Sequence, residues 1–247
     1  MLSVIVPAYN EELLIGRTLR ALRAAGGALG QPFEVIVVDD ASTDRTAAIA
    51  AEHGARVLSV RNRQIAATRN AGAHAAHGEL FLFVDADTVV TPDAVQAAVE
   101  AMRAGAAGGG CAVRFDGVVP LYGRVMLRVL LPLYRLVGLA SGSFIFCTRR
   151  AFEAVGGFDE ALFAAEEAAM SRALHRQGPF VFLPQLVITS GRKVRTYSGR
   201  ETFGLFARLI LSRGKALQRR HDLWYGERRA DPGSESEVET LERREPP

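Results

Sequence analysis

The 247-residue sequence predicts an α/β protein built on a mixed, mainly parallel sheet flanked by helices. Three observations lead there. Short apolar, β-branched runs alternate with segments whose apolar residues recur at helical spacing. One helix-length segment separates each pair of runs, as a parallel crossover requires. Polar residues also cluster where the apolar runs stop, at the ends where such sheets bind ligands.

Residues 2–6 form a short apolar run ending at Pro7 and read as a buried strand. Residues 12–25 place Leu14, Ile15, Leu19 and Leu22 at helical spacing. Residues 33–38 are a second β-branched run, followed by Asp39-Asp40, and residues 43–53 read as helix. A third strand is expected over 56–60, an Ala-rich helix over 64–76, and a fourth strand over 80–84, ending at Asp85. Thr91 then suits an N-cap, with Pro92 at the first helical position.

The second half is less regular. Gly108-Gly109-Gly110 leads into a strand through Phe115, and residues 118–140 form one or two amphipathic helices. A strand over 143–148, a helix over 166–177, one or two short strands over 180–189 and a basic amphipathic helix over 202–220 follow. Residues 226–247 are polar, charged and nearly free of aliphatics, and are expected to be a disordered tail.

Composition sets bounds. Hydrophobic residues make up 49% and charged residues 23%, which suits a globular chain with a substantial core. A net charge of +3 gives no reason to expect a nucleic-acid partner. Cys111 and Cys147 lack metal-ligand spacing and read as reduced core thiols of a cytoplasmic protein. The longest apolar segment, 118–140, carries Arg124, Arg128 and Arg135 together with Pro120 and Pro132, so a spanning helix is not expected. That segment and the basic helix over 202–220 either pack on the domain or lie on an acidic membrane surface, which leaves peripheral membrane contact open.

Two carboxylates separated by one small residue, Asp85-Ala86-Asp87, follow the fourth strand. Carboxylates converging at a strand end suit a hard divalent cation that also takes phosphate oxygens, although Asp is equally common in solvated turns. Asp39-Asp40 with Ser42 and Asp44 offers either a base-reading acceptor or helix caps. Arg69-Asn70 places a guanidinium on a small-residue helix, in reach of phosphate or carboxylate.

Val6-Pro7-Ala8-Tyr9-Asn10-Glu11-Glu12, Val37-Val38-Asp39-Asp40-Ala41-Ser42-Thr43-Asp44, Arg69-Asn70-Ala71-Gly72 and Phe83-Val84-Asp85-Ala86-Asp87 occur in order. Together they resemble the large inverting glycosyltransferase family 2, which has a GT-A (Rossmann-like) fold. The resemblance covers about residues 1–190. It implies one catalytic domain over 1–225, with a nucleotide-binding half (1–105) and an acceptor-side half (106–225). It further implies that Pro7, Tyr9 and Glu11 line the nucleoside pocket, Asp40 reads the base, Arg69 helps hold the pocket, Asp85 faces ribose or sugar, and Asp87 binds Mg²⁺ or Mn²⁺.

Ser141-Gly142-Ser143-Phe144 and Gly156-Gly157-Phe158-Asp159-Glu160 look like the family's acceptor-side segments, which makes Asp159 an acceptor-side candidate. Glu166-Glu167 stands where the family has an acidic pair, usually Glu-Asp, that carries the catalytic base; by position the base is Glu167. Both can equally be first-turn carboxylates favoured by the helix dipole. Ser190-Gly191-Arg192-Lys193 either closes over the diphosphate or forms a basic surface turn. The processive signature Gln-x-x-Arg-Trp is absent after the acidic pair, which favours transfer of a single sugar. The expectation is an inverting transfer from a nucleotide-sugar donor, UDP-hexose before GDP-mannose. The acceptor is unidentified: a lipid carrier, a glycan or a small molecule. A nucleotidyltransferase would instead carry a Gly-rich loop with Arg and Lys after the first strand, where Pro7-Ala8-Tyr9-Asn10 stands. A non-catalytic nucleotide-sugar binder or membrane-surface protein is the remaining alternative, against which Asp85, Asp87 and Glu167 all argue.

Overall fold

In the computed structural model, residues 1–124, 128, 140–196, 198, 201 and 218 are described. The strands are β1 (Leu2–Ala8), β2 (Phe33–Asp40), β3 (Arg56–Val60), β4 (Leu80–Val84), β5 (Thr88–Val89), β6 (Gly108–Phe115), β7 (Phe144–Thr148) and β8 (Phe180–Thr189). The helices are α1 (Ile15–Ala28), α2 (Thr46–Glu52), α3 (Ile65–Ala75), α4 (Pro92–Arg103), α5 (Arg149–Val155), α6 (Glu166–His175) and α7 (Arg192–Thr196).

The strands form one sheet in the order β3-β2-β1-β4-β7-β6-β8-β5. From β3 to β4 every pairing is parallel. β7 then runs antiparallel to both β4 and β6, β8 is parallel to β6, and β5 closes the edge antiparallel to β8. The sheet is therefore mixed and mainly parallel, as the alternation of elements predicts.

Period-two alternation along the central strands feeds two cores. Leu82 and Val84 of β4 join Val4 and Val6 of β1 under α1 and α4, where Leu19, Leu22, Val95 and Val99 pack. Phe81 and Phe83 face the other way with Ile5 and Val38, against Phe152 of α5 and Met170 and Leu174 of α6. α3 lies so close to this second face that a Cβ on Gly72 would sit 2.5 Å from Ile5 Cγ2 and 2.7 Å from Val38 Cγ2. That approach fixes the helix carrying Arg69 against the sheet.

Several boundaries differ from the sequence reading for identifiable reasons. β1 and β2 continue to Ala8 and Asp40 because parallel pairing continues, Ala8 opposite Asp39 and Asp40 opposite Val60. Asp39 and Asp40 are thus strand residues, not loop residues. The glycine run does not lead into β6 but forms its start, Gly108 lying between Cys147 of β7 and Phe180 of β8. A Cβ on Gly109 would meet Val181 O, and one on Gly108 would be 2.7 Å from Phe146 O, so tertiary crowding overrides glycine's poor strand propensity. Residues 180–189 are one strand with an irregularity, Leu183 pairing with Cys111 and Leu186 with Ala112. α5 and β5 were not anticipated, and α7 forms in the segment read either as closing over the diphosphate or as a basic surface turn. Thr91 has the extended backbone of an N-cap before Pro92, although its side chain makes no capping bond.

Of the helices expected over 118–140, residues 121–124 are described and helical. Most of that segment, nearly all of the basic helix over 202–220 and the tail over 226–247 lie outside the described residues. Among the described residues no helix is long and apolar enough to cross a membrane. Cys111 and Cys147 are buried free thiols, and burial pushes the Cys111 thiol up to about 12.

Candidate active site

Parallel pairing brings the carboxyl ends of β1, β2 and β4 to one side of the sheet, and a cavity of about 280 Å³ opens there. The first half contributes Pro7 and Ala8 at the end of β1, Tyr9 and Glu11 after it, Asp40 at the end of β2, and Asp85, Ala86 and Asp87 after β4. The second half contributes Ser141, Gly142 and Ser143 before β7, Phe163 to Glu167 at the start of α6, and Lys193 of α7. The sequence-assigned pocket residues therefore share one space, although Glu167 lies 80 positions after Asp87.

Arg69 sits at the junction of the halves and is 1% exposed. Its Nη1 donates to Glu166 Oε1 at 2.9 Å, and its Nη2 donates to Asp85 Oδ1 at 2.9 Å and to Gly142 O at 3.2 Å. A guanidinium fits this task because its planar fork offers several donors at fixed angles. Two neighbours on α3 complete the attachment. Asn70 accepts from Phe158 N–H (2.9 Å) and donates to Phe158 O (2.9 Å) and Glu160 Oε1 (2.8 Å). Gln64 donates to Leu162 O (2.6 Å) and Glu160 O (3.3 Å), while its Oε1 caps the helix by accepting from Ala67 N–H. The segment 157–167 is thus hung on three side chains of, or beside, α3.

Glu166 and Glu167 occupy the first turn of α6, where the dipole favours negative charge. Glu166 is buried and neutralised by Arg69. Glu167 has no ion pair among the described residues; burial, and then the charge of Glu166, push its carboxyl up to about 8. A carboxylate with raised proton affinity beside a cavity is suited to taking a proton near neutral pH. Ala165, which precedes the pair, holds a left-handed φ of 59° and so aims the start of α6.

Asp85 and Asp87 have different surroundings. Asp85 is committed to Arg69. Asp87 accepts from Thr189 Oγ1 at 3.2 Å, Thr189 Oγ1 in turn accepts from Thr88 Oγ1 at 2.9 Å, and Ser190 N–H donates to Asp87 O at 3.2 Å. Among the described residues no group of three or more His, Cys, Asp or Glu is placed to cage a metal. A single cavity carboxylate held by a hydroxyl suits Mg²⁺ or Mn²⁺ of the kind that takes the rest of its oxygens from substrate phosphate and water.

Asp40 lines the cavity but is heavily engaged. Its Oδ1 accepts from Asn62 N–H (2.7 Å) and Arg63 N–H (2.8 Å); its Oδ2 accepts from Gln64 N–H (3.3 Å) and lies 2.9 Å from Thr68 Oγ1. It therefore clamps the turn before α3. Arg63 in that turn has φ 49° and stacks on Tyr9, its Cζ 3.7 Å from the ring centroid. Glu11 lines the cavity and receives Arg192 on both oxygens, at 2.8 and 3.0 Å. Arg192 itself does not reach the cavity, whereas its neighbour Lys193 does. Asp159 is exposed, accepts from Ala161 N–H at 2.9 Å, and lies outside the cavity lining.

Sequence reasoning missed Arg63, Gln64, Thr68 and Phe163 as cavity residues. For Arg63, Gln64 and Thr68 a signal existed: they lead into the same helix as Arg69-Asn70. Nothing in the sequence marked Phe163.

The sequence profile of a family described as glycosyl transferase family 2 matches residues 3–155, more than half of the chain. The chain belongs to glycosyl transferase family 2. Curated relatives of this family 2 chain include an undecaprenyl-phosphate 4-deoxy-4-formamido-L-arabinose transferase of Pseudomonas aeruginosa, 37% identical over 107 residues (40% of this chain, 32% of the relative). Another is the succinoglycan biosynthesis protein ExoO of Rhizobium meliloti, 39% identical over 126 residues (49% and 35%). The chain spans about a third of the length of these relatives. Among solved structures, the mannosyltransferase PcManGT of Pyrobaculum calidifontis in complex with GDP-Man and Mn²⁺ aligns with a TM-score of 0.67 at 19% identity, over 100% of this chain and 76% of that one. TarS of S. aureus in complex with UDP-GlcNAc aligns at 0.62 and 25% identity, over 85% and 65%. The family 2 chain thus has the GT-A fold of these enzymes.

Proposed function

We propose that this chain is the catalytic unit of a metal-dependent, inverting glycosyltransferase. It moves a single sugar from a nucleoside-diphosphate sugar, UDP-hexose before GDP-mannose, to an acceptor. The observation that carries this reading is the meeting of Asp85 and Asp87 with Glu166 and Glu167 in one cavity, joined through Arg69. The cavity lining offers an aromatic ring and the strand-end groups of β1 and β2, suited to a nucleoside, together with Lys193 and Asp87, suited to a diphosphate.

In this reading Asp87 holds Mg²⁺ or Mn²⁺, and the ion, when bound, neutralises the diphosphate leaving group. Lys193 adds a cation beside it, and Arg192 supports that position by anchoring α7 to Glu11. Asp85, fixed by Arg69, faces the ribose or sugar. Tyr9 and Pro7 flank the nucleoside, and Asp40 acts by shaping the 62–64 turn; an additional bond to the base would displace one of its present donors. Glu167 takes the proton of an acceptor hydroxyl as its oxygen attacks the anomeric carbon from the face opposite the diphosphate, which inverts that centre. Glu166 stays paired with Arg69 and keeps the local charge fixed. Asp159 does not line the cavity, so its part on the acceptor side is to hold the 159–161 turn.

The names of the undecaprenyl-phosphate transferases favour a lipid carrier as acceptor, approached at the inner face of the membrane. A phosphate oxygen is already anionic and needs no base, so dependence on Glu167 distinguishes a hydroxyl acceptor from a phosphate.

Calorimetry with UDP tests the donor site. UDP is expected to bind with Mn²⁺ and to lose most of its affinity in Asp87→Asn. Equal binding by wild type and variant, with and without Mn²⁺, would remove Asp87 from the metal role.

A further inference from the structure

Lys193 reaches the cavity from α7, and among the described residues no carboxylate or other acceptor holds its ammonium. Its position therefore follows from the placement of α7. That helix has five residues, none of them buried, so core packing does not hold it. Polar contacts hold it instead, and several of them converge on Asp116, the residue after β6.

Asp116 Oδ1 accepts from Gly191 N–H at 2.7 Å and lies 3.4 Å from both Nη1 and Nη2 of Arg195. Its Oδ2 accepts from Arg17 Nη2 of α1 at 2.6 Å. The backbone joins in: Asp116 O accepts from Arg195 Nη1 at 2.7 Å, and Asp116 N–H donates to Thr189 O at 2.9 Å. The Asp116 and Arg195 side chains are only 11% and 8% exposed, so their pairing is shielded from salt. Glycine suits position 191, since a Cβ there would be 2.7 Å from both Asp116 O and Arg195 Nη1. One carboxylate thus grips the chain on either side of Lys193, at Gly191 before it and Arg195 after it, and ties both to α1.

We propose that Asp116 is a positioning residue: it fixes α7 so that the Lys193 ammonium stands beside the diphosphate of the donor. This rests on the nucleotide-sugar reading of the cavity. Asp116 lies outside the cavity lining and so acts through Lys193. Two effects of its charge oppose one another. As a bare negative charge near the cavity it repels a diphosphate, and removing it would strengthen binding. As the anchor of α7 it delivers a cation to the diphosphate, and removing it weakens binding. The anchoring effect wins because Asp116 is already neutralised by Arg17 and Arg195, whereas the Lys193 ammonium has no carboxylate of its own among the described residues.

The test is calorimetry with UDP and Mn²⁺ on the purified chain, for wild type, Asp116→Asn, Lys193→Met and the double variant. Asparagine keeps the shape of the side chain and removes its charge. Asp116→Asn is expected to weaken UDP binding by about fivefold or more, and Lys193→Met by about tenfold. In the double variant Asp116→Asn is expected to add less than about twofold to the effect of Lys193→Met, because the group it positions is gone. A merely structural role would weaken UDP by the same factor in both backgrounds, and that result overturns the inference. Tighter or unchanged UDP binding by Asp116→Asn overturns it too, since the charge then acts alone or not at all. Each variant is first checked by thermal unfolding. Should Asp116→Asn fail to fold, Arg195→Met takes its place in the same cycle; it loosens α7 and leaves Asp116 paired with Arg17. Equal UDP binding by wild type and Lys193→Met overturns the inference and removes Lys193 from the diphosphate, with the rest of the donor site intact. Failure of wild type to bind UDP overturns the nucleotide-sugar reading itself.

Discussion

The two halves of the molecule build their shares of the cavity by different means. In residues 1–105 the site groups are continuous with strands: Tyr9 follows β1, Asp40 ends β2 and Asp85 follows β4, all set by a parallel register. In the second half they come from segments between elements, residues 141–143 and 163–167, and from the short helix α7. Those segments are placed by side chains reaching over from the first half. Gln64, Arg69 and Asn70 hold the 157–167 region, Glu11 holds Arg192, and Arg17 pairs with Asp116 at 2.6 Å. A sheet end is a rigid support, whereas a loop hung on polar contacts depends on each one. Mutations are therefore expected to act locally in the first half and through Arg69 in the other.

The largest expected effect lies at that junction. Arg69→Met leaves the buried Glu166 and the partly buried Asp85 without their cation, and stability measured by urea unfolding should fall by about 3 kcal/mol. A loss below about 1 kcal/mol would show that the halves are held by something other than Arg69.

Next comes chemistry. Glu167→Gln should keep UDP binding and lose transfer to a hydroxyl acceptor by about 10²–10⁴-fold. Glu166→Gln should act mainly on stability, by about 1–3 kcal/mol, because it weakens a buried charged hydrogen bond. If Glu166→Gln is the variant that binds UDP normally and cannot transfer, the base is misassigned by one residue.

A subtler effect concerns pH. With the Glu167 carboxyl raised to about 8, kcat/KM should climb with pH up to that region, since the base must be ionised. Stability moves the other way. The folded state holds this proton more tightly than the unfolded chain, whose value is near the ordinary 4.5, so the stabilisation is complete below 4.5 and is lost as pH rises through about 8. Glu167→Gln removes that dependence, and its melting temperature should gain on wild type between acidic and alkaline buffer. Parallel pH curves for the two proteins would sink the assignment.

The smallest effect is expected at Ala165. Glycine accepts its left-handed backbone without strain, so Ala165→Gly should change stability by no more than about 1 kcal/mol, towards greater stability. Transfer should slow at the same time, because the first turn of α6 loses a constraint.

The same contrast explains what the sequence made legible. Each strand of the parallel half is a short apolar run, and its polar residues follow immediately, so the fold and these cavity-lining residues could be read together. The attachments could not. Glu166 lies 97 positions from Arg69, and Arg192 lies 181 from Glu11; neither pairing leaves a periodic trace. The saturation of Asp40 was hidden for the same kind of reason, because its donors are backbone N–H groups of a turn. β6 was misjudged at its start because glycine disfavours strands on its own, and only the crowding by Phe146 and Val181 makes it necessary there.

That crowded glycine run also has a genetic consequence. Any nucleotide change in a glycine codon that alters the residue introduces at least a Cβ. At Gly109 that carbon meets the Val181 carbonyl, and at Gly110 it lies 2.6 Å from the Ala140 Cβ. Codons 108–110 are therefore a compact target for inactivating missense alleles, set apart from the residues that line the cavity. A random-mutagenesis screen for lost activity would draw part of its hits from this stretch, and the resulting proteins would fail by unfolding while every cavity residue stayed intact.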